Sequence, residues 1–145
     1  MSDSASRAFD RWALRYARHY ARWALGAAFL SGIASRFGLW GTGRGYGTFA
    51  NFVKYTAQVN RFMPARTIPF LAWAATAAEF TLGLALLLPL RGRAARIVAL
   101  GSAALLAVFG LAMAISFGPK EPLDYSVFSA SAAALLVALH PASDT

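Results

Sequence analysis

Residues 68–90 read IPFLAWAATAAEFTLGLALLLPL, a run of 23 residues in which Glu79 is the only ionisable group. At 1.5 Å per helical residue, such a run is long enough to cross a hydrocarbon core of about 30 Å. An acid at the bilayer centre costs roughly 2.5–3.5 kcal/mol on insertion scales, so it persists where it faces protein and something there uses it. Glu79 lies eleven residues past Ile68, about 16 Å deep and close to the midplane. Thr76 and Gly83, three before and four after, share its face. A hydroxyl and a small residue beside an acid leave room for a ligand or a water, and they equally permit close helix packing. Two readings follow. Glu79 is a proton or ligand site, or it is a protonated acid that hydrogen-bonds across helices.

The rest of the chain fits the membrane setting. Of its 145 residues 58% are hydrophobic, and the mean hydropathy is +0.49, well above the balance of a soluble domain. The net charge of +8 is a flank charge, because every basic residue except Arg36 and Lys120 falls in 7–22, 44–66 or 91–96, at the borders of apolar blocks. That placement argues against a nucleic-acid face and for anionic lipid headgroups as partner. The absence of cysteine removes disulfides, thiol exchange and cysteinyl iron–sulfur ligation from this chain.

Four spans are expected at about 23–40, 68–90, 97–117 and 123–140. Arginines 7, 11, 15, 18 and 22 fall on one helical face, with Phe9, Trp12, Tyr16, Tyr20 and Trp23 opposite. Residues 1–22 therefore read as a basic amphipathic segment lying on the lipid surface, retained rather than cleaved, with Ser2, Asp3 and Ser4 supplying caps. Tryptophans 23 and 40 bracket the first span. The glycine-rich 41–47 (GTGRGYG) forms a turn. A second amphipathic helix follows on the outer side, with Phe49, Phe52, Val53, Thr56, Val59, Phe62 and Met63 on one face, until Pro64 stops it. Residues 23–139 form one domain and 140–145 a short polar tail. With the N-terminus inside, eight basic residues flank the inner side and six the outer, which places both termini in the cytoplasm. The expected fold is an all-α integral membrane four-helix bundle carrying these two amphipathic helices.

Few polar residues are placed to do chemistry. Counted from Trp40, Arg36 lies about 6 Å below the outer interface and some 10 Å above Glu79. Asp124, at the mouth of the fourth span, is at similar depth and the nearer partner, although a direct Arg36–Glu79 bridge stays open. Asp124 and Tyr125 sit where a carboxylate and a phenol could hold a polar head such as a quinone carbonyl, and Asp124 could equally cap the fourth span. A bis-histidine haem would need His19 and His140 on facing helices at one depth, and both read as interfacial side chains. No metal cluster, phosphate loop or catalytic triad is found.

Four stretches in order, FLSGIASRFGLW (29–40), FVKYTAQVNRFMP (52–64), ATAAEFTLGLALLL (75–88) and PLDYSVFSASAAALL (122–136), resemble the DoxX-like small membrane proteins. The resemblance covers roughly residues 23–139. It implies a four-helix membrane bundle of the bacterial cell membrane, and it places Glu79 and Arg36 on motif positions. Related DoxD-type proteins form the membrane subunit of thiosulfate:quinone oxidoreductase, so the resemblance implies a quinone-linked redox role or a scaffold for a redox partner protein. The second domain that the thiosulfate activity involves has no counterpart in this chain. A homo-oligomer is compatible with either role.

Overall fold

The computed structural model describes residues 3–41 and 43–139. The described residues are all-helical, with six α-helices, one short 3-10 turn and no strand. Helix α1 (Asp3–Arg36) runs for 34 residues, about 51 Å. No glycine or proline occurs in it before Gly26, so nothing interrupts the hydrogen-bond ladder. The expected boundary between a surface segment and a first span, at residues 22 and 23, is therefore not a break.

The helix stops at Arg36 rather than at Trp40. Gly38, with φ of 72°, reverses the chain, and the Trp40 indole N–H donates back to the Ser31 carbonyl at 3.1 Å. The glycine-rich turn follows, with positive φ at Gly41, Gly43, Gly45 and Gly47. Helix α2 (Phe49–Val59) opens on Thr48, whose Oγ1 accepts from the Asn51 amide, and buries Phe52, Thr56 and Val59. A 3-10 turn (Ala65–Thr67) leads into α3 (Ile68–Leu87), and α4 (Gly92–Phe117) starts after Pro89 and ends at Gly118.

Two helical stretches, Ala65–Leu87 and Gly92–Phe117, are long and apolar enough to cross a membrane. The expected first and fourth spans are shorter than the sequence suggests. The apolar part of α1 ends with the helix at Arg36. Residues 123–126 belong partly to the short helix α5 (Lys120–Asp124) and partly to a connection through Ser126, whose φ is 55°. Helix α6 (Val127–Leu139) has only 13 residues, about 20 Å. The expected tail, with His140, and the expected cap at Ser2 lie outside the described residues.

Helix α1 packs on α3, α3 on α4, α4 on α6, and α6 returns to α1. Leu25, Phe29, Leu86, Ala103 and Ala134 form the central cluster. Glycines set the spacing. A Cβ at Gly83 would approach Phe29 Cβ to 3.1 Å, and one at Gly110 would meet the Phe128 ring at 2.6 Å. Small residues at such crossings bring the helices close enough for dispersion contacts to add up.

Candidate functional site

The last residue of α1 and the middle of α3 meet in a buried polar cluster. Arg36 and Glu79 are 4% and 5% exposed. Arg36 Nη2 donates to Glu79 Oε1 at 2.5 Å, and Nη1 donates to Thr76 Oγ1 at 2.9 Å. Thr76 Oγ1 in turn donates to the Ala72 carbonyl at 2.8 Å. The Phe52 ring of α2 covers the guanidinium, with its centroid 3.7 Å from Cζ, a distance at which the ring face attracts the cation. Gly32 makes room for the carboxylate, since a Cβ there would lie 3.2 Å from Oε2. Arg36 Nε is buried without an acceptor among the described residues.

Arg36 thus pairs with Glu79 and not with Asp124, contrary to the depth argument. That argument treats Trp40 as lying four residues above Arg36. Because the chain reverses at Gly38, Trp40 comes to Ser31 and marks no height above Arg36. Asp124 pairs instead with Lys120, one turn away on α5, in an exposed ion pair. Since Asp124 closes α5 and α6 begins at Val127, it does not cap α6 either. Tyr125 is 68% exposed. Of the expected site residues, Glu79, Arg36 and Thr76 come together, while Asp124 and Tyr125 stay at the surface.

Two tyrosines extend the aromatic contact outward from Phe52. Tyr46 is held at its backbone, its amide donating to Ser35 Oγ and its carbonyl accepting from Asn51 Nδ2, both at 2.9 Å. Its ring meets Phe52 edge-on at 5.1 Å and Tyr55 at 5.3 Å. Burial first, then the Tyr55 phenol, pushes the Tyr46 hydroxyl up to about 12, against the opposing pull of the Arg36 charge. Burial likewise raises Tyr55. The sequence reading passed over Tyr46 and the contact role of Phe52. Their only signals were an aromatic residue within a glycine turn and the apolar stripe of α2.

The arginine stripe divides. Arg7, Arg11 and Arg15 are exposed, and Arg18 is half-buried. Arg22 is 6% exposed and donates to the carbonyls of Leu88 and Leu90, at the end of α3. It is therefore an internal fastener rather than a lipid contact. The aromatic stripe from Phe9 to Trp23 is exposed throughout, with Trp12 and Tyr16 in ring contact at 4.5 Å. Burial, followed by Arg18, Arg22 and Arg15, keeps the pKa of His19 low.

Shallow grooves mark the surface. One of about 560 Å³ is lined by Ala57, Gln58, Arg61 and Phe117, and one of about 600 Å³ runs along Ala24, Ala28, Ser31 and Trp40. Neither is lined by Glu79 or Arg36. Among the described residues no three His, Cys, Asp or Glu side chains gather as metal ligands. No family model, no curated protein and no solved structure gives a significant match to this chain.

Proposed function

We propose that the chain is a DoxX-like integral membrane protein with four spans and both termini in the cytoplasm, acting as a non-catalytic scaffold or assembly subunit for a redox partner. The membrane part is supported by the apolar faces that α3 and α4 turn outward. Phe70, Val108 and Ile115 are 74%, 61% and 65% exposed, a surface that needs a lipid or protein cover. The short α6 and the apolar half of α1 complete the four spans if the bilayer thins around them or polar flanks snorkel.

The observation that carries the scaffold reading is the closure of Glu79. One of its oxygens is bound by Arg36, Phe52 roofs the guanidinium, and both side chains are buried. Such an arrangement suits an interhelical lock better than an acid that trades protons with a substrate. A second reading, a quinone-linked redox subunit, is favoured by the buried Arg36 Nε–H, a donor left unmet among the described residues that a carbonyl head could accept from. Detergent-purified Glu79→Gln and Arg36→Ala separate the two. The scaffold reading expects lower folded yield and the same partner-linked activity per folded molecule. Wild-type yield with loss of co-purified quinone would overturn it in favour of the redox subunit.

A further inference from the structure

Helix α1 turns one face to the bundle and leaves the opposite one uncovered. Arg22, Leu25, Phe29 and Arg36 are buried, and Gly26 and Gly32 meet Leu87 and Glu79 of α3. At helical spacing, the other side carries Phe9, Trp12, Tyr16, Tyr20 and Trp23 along the first half, then Ala27, Ser31 and Ala34 along the second. The five rings are 56–76% exposed. Along the second half the small side chains line a groove of about 600 Å³, walled at its end by Trp40, which folds back onto the Ser31 carbonyl. The two halves form one stripe from Phe9 to Ala34, about 38 Å long.

Three features say what covers this stripe. A belt of interfacial aromatics occupies a headgroup layer about 5–8 Å deep. These rings spread over residues 9–23, about 21 Å of a continuous helix whose other half packs along α3. The area also suits a protein pair. An aromatic side chain presents about 150–250 Å², so five rings open by more than half offer roughly 500 Å² per copy and about 1,000 Å² for two, where specific interfaces begin. The charges, finally, favour a like partner over an acidic one. Arg7, Arg11, Arg15 and Arg18 lie on the far side of α1 from the rings. Two copies related by a two-fold axis would meet ring to ring with their guanidinium groups turned apart, whereas an acidic groove closing on this face would leave those cations outside it.

We propose that this face of α1 is a homodimer interface, in which two copies pair in parallel about a two-fold axis along the membrane normal. The parallel sense rests on the membrane-spanning reading above, because both copies insert the same way. In the outer half, the small side chains let the two backbones approach closely, and in the inner half the rings of the two copies pack on one another. The Arg36–Glu79 pair lies on the other side of α1 and stays within each copy.

The chain has no cysteine, so single substitutions report the contact directly. In oxidised membranes, Ala27→Cys is expected to give a disulfide-linked dimer, since the two-fold axis brings the paired Cα atoms within about 7 Å. Val108→Cys, at a position 61% exposed on α4, is expected to stay monomeric. Light scattering of the detergent-purified wild type should read two copies per particle, and Trp12→Ala/Tyr16→Ala should raise the dissociation constant of the dimer about tenfold or more. A monomeric wild type overturns the proposal, as does Val108→Cys linking as readily as Ala27→Cys. Ala27→Cys joined to a different chain also overturns it and assigns the face to a partner helix. Should the substituted chains fail to fold, the mass of the wild-type particle decides alone. Release of the chain from membranes by alkaline carbonate would sink the membrane-spanning reading itself, whereas a chain that stays in the membrane as a monomer sinks only the dimer.

Discussion

Arg36 divides one planar group among a carboxylate, a hydroxyl and an aromatic face. Removing one member of a buried pair leaves the other charge without compensation, so Glu79→Ala is expected to lower stability by about 3–5 kcal/mol, read from thermal unfolding in detergent. The double variant Glu79→Leu/Arg36→Met should recover most of that loss, since no stranded charge remains. Phe52→Leu keeps the bulk and loses the ring face, a cost of about 1–2 kcal/mol in the same assay. Tyr46 adds a pH dependence. Its folded pKa, pushed up to about 12 from the ordinary 10.0, means that the fold favours the protonated phenol. That stabilisation is complete below pH 10 and is lost as the pH rises towards 12, so Tyr46→Phe should flatten the alkaline fall of the unfolding temperature. At this scale the sequence was partly legible. A lone acid in an apolar run announces itself, and Thr76 follows from helical spacing. Its partner was hidden, because the height of Arg36 depends on whether the chain continues or doubles back after it, which the turn at Gly38 decides.

Among the elements, α3 and α4 were readable because each is a long apolar run bounded by proline or glycine. Helix α4 nonetheless begins at Gly92, five residues before the expected 97, because the arginines at 93 and 96 fit a helix as well as a flank. In α1 the composition changes sharply at residue 22 although the backbone does not, so its continuity is not legible in the sequence. Hydrophobicity reports surroundings, whereas helix continuity depends on the absence of breakers. Helix contacts offer a further test. Gly110→Ala drives a methyl into the Phe128 ring, 2.6 Å away. It should cost about 1–3 kcal/mol, and Gly110→Ala/Phe128→Leu should regain part of that in the same unfolding assay.

At the scale of the molecule, the absence of cysteine makes topology simple to probe. Single cysteines at Arg11 and Arg93 are expected to react with a membrane-impermeant maleimide from one side of the bilayer, and those at Lys54 and Lys120 from the other. Any other grouping contradicts the four-span arrangement. Helix α1 is fastened to α3 twice, by Arg22 at the Leu88 and Leu90 carbonyls and by Arg36 at Glu79, fourteen residues apart and so about 21 Å. Both fasteners sit on a helix that the ribosome makes before α3. In a membrane setting the acid-bearing α3 would then arrive beside a base already in place, so its insertion would depend on synthesis order. Circular permutation that moves α1 behind α6 should leave every contact available and still lower the fraction of chains that insert.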